Sequence, residues 1–338
     1  MATTLVEPSS PSRSSQPTRP SRWSSKAIAE RYALLVVWAI TIGIFSALDP
    51  STFPTANNFE TIFGSQSVIV LLTLGAVVVL GAGEFDLSLG FGLGFSSILL
   101  AWLNVDHGWP IGLAILVVLL LGVAFGLFNA FLIVTLQIPG VVATLGSGTL
   151  IYGIGLAVSS QIVSGVSPGF VNFTSRHFLG LPTAFYFTVL MCVAIHYVLQ
   201  YTPLGRYMVF IGKGREVARL AGVRVNTVRV LALTAASLMA FAAGIMLVGL
   251  DGSAAPGVGQ SFLLPAFAAA FLGETAIHPG QFNVLGSFIA TYFLVTGITG
   301  LQLMGLADWV VQVFYGGALI VAVGSAQIVI RHQRKVTR

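Results

Sequence analysis

The chain has 338 residues, a mean hydropathy of +0.92 and 56% apolar residues, and only 8% of its residues are charged. Soluble domains carry roughly 25% charged residues, so this composition defines a polytopic membrane protein. The formal net charge is +5, but the basic residues cluster beside apolar runs, which excludes nucleic acid as a partner; the single Cys192, inside an apolar run, excludes an intrachain disulfide and a thiol-ligated metal site.

From the start, residues 1–31 are rich in Ser and Pro, carry Arg13, Arg19, Arg22, Lys26 and Arg31, and have almost no large apolar side chain. They read as a disordered cytoplasmic tail, too long and polar to open a cleaved signal peptide. A membrane-crossing helix needs about 20 mostly apolar residues. By that measure spans fall near 32–48, 62–82, 87–104, 110–136, 140–160, 182–201, 229–250, 262–274, 282–303 and 308–330. The expected fold class is therefore all-α, with about 10 transmembrane helices in a permease domain over 32–330 and a basic cytoplasmic tail over 331–338. The eighth run is short and contains Pro265, which points to a broken or partly re-entrant segment.

Ten spans with the N-terminus inside put the first tail, the segment 202–229 and the last tail on one side, which gathers every Lys and Arg except Arg176. The positive-inside rule requires such asymmetry. Asp49, Asp106, Asp251 and Asp308 fall in the outer connections. Segment 202–229 is the longest polar interruption and carries Arg206, Lys213, Arg215, Arg219, Arg224 and Arg229 against the single acid Glu216. Gly214 and Gly222 bracket two helical turns in which Val217, Leu220 and Ala221 share a face, while Arg215 and Arg219 stand one turn apart on another. A cationic face on a short amphipathic helix suits anionic lipid headgroups or an acidic groove on a partner; the alternative is a solvated loop that only sets topology.

No G-x-x-x-x-G-K-[ST] stretch is present, so any ATP hydrolysis belongs to another subunit. The five histidines, His107, His177, His196, His278 and His332, lack metal-ligand spacing. GVSPG around Ser167 matches G-x-S-x-G, but in a Pro-containing loop between membrane helices rather than a strand-to-helix turn. Gly90 to Gly94 and Gly122 to Gly126 are small-xxx-small pairs that let backbones approach closely.

Acids at membrane boundaries stand out. Glu84 and Asp86 lie between the second and third spans with no basic neighbour in sequence, and a charge at a helix centre costs about 2.5–3.5 kcal/mol. Asp86 or Ser88 is placed to begin the third helix. Gly273 and Glu274 precede Gly280 at the spacing by which Gly83 and Glu84 precede Gly90, through duplication or by chance. Neutral polar residues inside or beside spans include Gln66, Asn129, Thr144, Ser147 and Asn283; singly they hydrogen-bond between helices, and as a set they line a path. The residues selected for a translocation path or gate are Gln66, Asp86, Asn129, Thr144, Glu274 and Asn283.

Four blocks carry a resemblance: GEFDLSLG at 83–90, IPGVVATLGSGTLIYGIGLAV at 138–158, TPLGRYMVFIGKGREVARLAGVRV at 202–225 and AFAAAFLGETAIHPGQFNVLGS at 266–287. In this order they resemble the ribose-type permease family of bacterial ATP-binding-cassette (ABC) sugar importers, across nearly the whole chain after the first tail. The departures are Glu84 and Phe85 before Asp86, Lys213 and Gly214 in place of a Gly-Asn pair, and His278-Pro279-Gly280 in place of a double glycine. The resemblance implies a non-catalytic permease subunit in the bacterial inner membrane with both termini cytoplasmic. Its implied partners are a second permease copy or homologue, a cytoplasmic ABC ATPase, an extracytoplasmic sugar-binding protein and membrane lipid. The chain itself would hold no cofactor or metal, with ATP and Mg on the ATPase. The coupling element that the resemblance implies is Lys213, Arg215, Glu216, Arg219, Leu220, Gly222 and Val223. A secondary carrier or channel for a small neutral solute is the alternative class.

Overall fold

The structure is a computed structural model that describes residues 25–307 and 309–336, with side chains described from 31 to 324 except residue 65. Its helices are α1 (Ser25–Leu48), α2 (Ala56–Ser65), α3 (Ser67–Gly81), α4 (Ser88–Ala101), α5 (Ile111–Ala130), α6 (Gly140–Val158), α7 (Pro168–Ser175), α8 (Thr183–Tyr201), α9 (Pro203–Lys213), α10 (Arg215–Leu220), α11 (Val225–Asp251), α12 (Gln260–Glu274), α13 (Val284–Leu303) and α14 (Trp309–Val336). The helices α4 and α5 each end in a π-helical turn, Trp102–Asp106 and Phe131–Thr135. The only strands among the described residues are four two-residue pieces: β1 (Val163–Ser164), β2 (His177–Phe178), β3 (Leu181–Pro182) and β4 (Ser253–Ala254). The first pairs antiparallel with β4, and β2 with β3. The fold is all-α, as expected.

Helix α3 lies at the centre, buried from Ser67 to Leu80, which is why its sequence is apolar all round. Helix α11 wraps it and also packs on α4 and α5. Small residues set that approach: a methyl group at Gly126 would fall 2.6 Å from Thr234 Cα, and one at Gly75 would fall 2.9 Å from the Ala236 carbonyl. Helices α5, α6 and α8 expose Leu116, Leu120, Leu145, Leu150, Leu190 and Val193, a surface suited to lipid or to another chain.

Among the described residues the helices do not make ten full-length spans. Each of the ten apolar runs forms a helix, but among the described residues seven helices are long and apolar enough to cross a membrane, or eight if the bent pair α2–α3 counts as one. Within the described side chains the apolar stretch of α14 covers Trp309–Gly324, the helix itself running on to Val336, and α12 has 15 residues, about 22 Å. Hydropathy measures apolar length and is blind to where the backbone leaves the helix. Helix α12 continues through Pro265, and the irregular part is residues 255–259 before it. There Gly259 lies against the backbones of Gly90 and Gly94, leaving no room for a Cβ. The small-xxx-small pair at Gly90 thus admits an unwound segment rather than a second helix. That segment completes a crossing, because Ser253–Ala254 pairs with β1 at one end of the bundle and Ile277 N–H donates to the Arg31 carbonyl at the other.

The remaining connections sort to the same two ends. Ser167 N–H donates to Asn104 at 2.8 Å and His177 meets Glu60 at 2.5 Å at the β1–β4 end, where Arg176 also lies. The turn at 82–87, the α5–α6 connection and the helices α9 and α10 gather at the Arg31 end, hereafter the cationic end. Helix α1 begins at Ser25, within the stretch expected to be a tail, and α14 runs through most of 331–338. The rest of the first tail, Asp308 and the last two residues lie outside the described residues.

Candidate functional site

Segment 202–229 is not a loop. Pro203 opens α9 at its first position, where a missing N–H costs nothing, and Gly205, Met208 and Ile211 form its buried face. Gly214 separates α9 from α10, and Gly222, at φ +80°, turns the chain out of α10 in a conformation that favours glycine. Arg229 stands in the second turn of α11.

The first two arginines of the cationic face part company. Arg215 turns inward, and its guanidinium donates to Glu84 Oε1 at 2.6 Å and to the Gly83 carbonyl at 3.4 Å. Arg229 donates from Nε to the same Glu84 oxygen. The Glu84 side chain is 5% exposed, and a carboxylate so buried persists only with compensating charge. Two arginines, 131 and 145 residues away in sequence, supply it. Gly140, the first residue of α6, completes the enclosure, since a methyl there would lie 3.7 Å from Glu84 Oε2. A carboxylate beside that helix N-terminus is favoured by its dipole.

Arg219 instead stays at the surface, paired only with Glu216 at 3.7 Å, a solvated pair of little energetic worth. The apolar side chains on α10 behave in the opposite way to a core: Val217 is 60% and Leu220 is 88% exposed, and only Ala218 is buried. Lys213, exposed at the C-terminus of α9, suits that helix dipole, and Val223 packs with Ala218 and Val225 beneath α10. A cavity of about 860 Å³ opens beside α10, between the residues 137–141 that lead into α6 and the start of α11. Its charged lining is Arg215, Arg219, Arg224 and Arg229 against Glu84 and Glu216, a positive surface.

A second polar cluster begins two residues beyond Glu84. Asp86 Oδ1 accepts from Ser88 N–H at 2.8 Å and Ser88 Oγ at 2.5 Å. Ser88 Oγ accepts from Asn129 at 2.8 Å, Asn129 Oδ1 accepts from Ser147 at 2.5 Å, and Thr144 Oγ1 accepts from Leu87 N–H at 3.0 Å. All five side chains are buried. Burial pushes the Asp86 carboxyl up to about 6 despite the two Ser88 bonds. The bonds tie α4, α5 and α6 together.

Three of the six residues selected for a path therefore meet: Asp86, Asn129 and Thr144. The others lie apart. Gln66 is half-buried at the bend between α2 and α3. Asn283 caps α13 by accepting from Gly286 N–H at 2.7 Å, and its amide donates to the carbonyls of Gly273 and Ala276. Glu274, half-buried, ends α12 beside it. Sequence reasoning missed the Glu84–Arg229 pair. The signal was available, because both charges sit at span boundaries that the alternating topology assigns to one side.

Fold and site together define a polytopic helical membrane protein with a cationic helical element at one end of its bundle. The chain matches the family described as "Branched-chain amino acid transport system / permease component" over residues 58–323, and it belongs to that family. It is similar to the Autoinducer 2 import system permease protein LsrD of Salmonella paratyphi B, 32% identical over 273 residues, 78% of this chain and 81% of that one. It is also similar to LsrC of the same import system, 29% identical in Salmonella paratyphi B and 30% in Salmonella typhi, over 281 residues that cover 83% of this chain and 80% of each relative. No solved structure matches. The chain is a multi-pass membrane protein and a permease subunit of an ABC importer, as the ordered blocks implied, rather than a carrier or channel.

Proposed function

We propose that this permease forms the path for a small sugar or sugar-like solute, serving import as its relatives LsrC and LsrD do by name, and that ATP hydrolysis on a separate subunit drives it. The cationic end faces the cytoplasm of a bacterial cell, with both termini there and the β1–β4 end receiving solute from an extracytoplasmic binding protein. A second permease copy or homologue covers part of the exposed apolar surface of α5, α6 and α8. ATP and Mg reside on the ATPase.

The single observation that carries this reading is the outward face of α10, where Leu220 stands almost fully exposed beside Val217, Glu216 and Arg219. A leucine so placed has no role in this chain's own core, and an apolar anchor ringed by charges suits docking into a partner's groove. In this account Lys213, Glu216 and Arg219 make polar contacts with the ATPase and Leu220 fills an apolar pocket, while Arg215 holds α10 from behind. Co-purification with a co-expressed ABC ATPase subunit tests it. Leu220→Asp should reduce the retained ATPase at least tenfold with no fall in thermal stability; full retention would overturn the reading.

A further inference from the structure

Residues 83–88 touch two sets of helices at the cationic end, α9 to α11 on one side and α5 and α6 on the other. On one side, Glu84 holds Arg215 of α10 and Arg229 of α11. There too, Gly212 at the end of α9 packs on this turn so closely that a methyl group on it would lie 2.8 Å from the Gly81 carbonyl. On the other side, Phe85 and Glu84 abut Gly140 at the start of α6, Leu87 bonds Thr144 of α6, and Ser88 bonds Asn129 of α5. The side chains of Glu84 and Arg229 are 5% and 10% exposed, while that of Arg215 is 42% exposed. The carboxylate is therefore anchored on its inner side and grips α10 at the edge of the cavity.

We infer that residues 83–88 are a strut that carries a displacement of α10 to α5 and α6, with Glu84 as the positioning residue that couples α10 to it. The inference rests on the reading of α10 as the ATPase-docking helix. A displaced α10 pulls on Arg215 and so on Glu84. The chain beyond Glu84 cannot absorb that motion by slipping, because Asp86 is fully buried and Ser88 is bonded on both sides. The α6 start, seated on Glu84 and Phe85, then follows. Arg229 keeps the carboxylate aimed at Arg215, which transmits.

The test uses the permease in complex with its ATPase and follows a distance rather than solute uptake, so the identity of the solute is not needed. Spin labels on Val142→Cys of α6 and Leu285→Cys of α13, both exposed, are read in a Cys192→Ser background with and without Mg-ATP and vanadate. The expected result is a nucleotide-induced shift in the otherwise unsubstituted complex that falls by at least half in both Glu84→Gln and Arg215→Gln, with ATPase retention within twofold. The double variant should be no worse than either single one, because both remove the same link. Glu84→Asp should restore part of the shift. If Glu84→Gln fails to fold, Arg215→Gln decides alone, since that side chain is the more exposed. A full shift in the variants, additive losses, or no shift in the unsubstituted complex would overturn the strut. Loss of ATPase only in the variants would also overturn it, by assigning Glu84 to docking. Absence of ATPase from the unsubstituted complex would bring down the docking reading and the strut together.

Discussion

Gly83-Glu84 precedes Gly90 by the same interval at which Gly273-Glu274 precedes Gly280, yet the turns α3–α4 and α12–α13 use their glutamates differently. In the first, Gly83 is the left-handed residue at φ +73° and Glu84 follows it into a buried pair of arginine contacts. In the second, Gly273 is helical, Gly280 is the left-handed residue at φ +80°, and Glu274 makes no ion pair among the described residues. That turn is held by Asn283. The shared spacing is out of register with the shared conformation, which argues for coincidence over duplication. A carboxylate's role here is set by what distant segments bring to it.

The largest expected difference between the turns follows from charge. Glu84→Ala leaves Arg229 buried and unpaired, and breaking a buried pair costs about 3–5 kcal/mol, so the melting temperature in detergent should fall by many degrees. Glu274→Ala should cost under about 1 kcal/mol. Equal effects would erase the contrast. Next comes backbone conformation. Gly83→Ala and Gly280→Ala both place a methyl on a left-handed residue, at about 1–2 kcal/mol, but only at Gly83 does the methyl also press on Gly212, at 3.2 Å. Thermal scans should rank Gly83→Ala below Gly280→Ala; the reverse order would show that the α9 contact is slack.

Third, Ser147→Ala strips one hydroxyl from the cluster beyond Glu84 and leaves the buried Asn129 oxygen unsatisfied, a loss of about 1–3 kcal/mol. Last comes a pH dependence, spread over about two pH units rather than concentrated in one substitution. Burial raises Asp86 from 3.8 to about 6, so between those values the folded protein retains a proton that the unfolded chain releases. Stability should therefore fall as pH rises through that window, and Asp86→Asn should flatten the slope. An unchanged slope in that variant would assign it to another group.

How much of this was legible in the sequence depended on range. All ten apolar runs are helical, because apolar length and helix go together, and the bracketing of α10 by Gly214 and Gly222 followed from local backbone chemistry. What failed were judgements that needed distant partners. The outward cationic face was read from helical periodicity alone, which puts Arg215 and Arg219 together; Glu84, far away in sequence, separates them. The eighth span was suspected for Pro265, whereas the unwinding occurs at 255–259, where contact with Gly90 and Gly94 fixes the backbone. Asp86, Asn129 and Thr144 were selected with Gln66, Glu274 and Asn283 as one path, and which of the six meet depended on the packing of α4, α5 and α6.

The central claim is that α10 presents its apolar face at the cytoplasmic side, backed by Glu84. Cysteine accessibility tests it directly: Leu220→Cys, in a chain whose only native cysteine is the buried Cys192, is treated with a membrane-impermeant maleimide. In right-side-out vesicles it should resist labelling, while in inside-out vesicles freed of ATPase it should react fully and be protected when the ATPase is added back. Labelling from the outer side alone, or the same labelling with and without ATPase, would contradict the account.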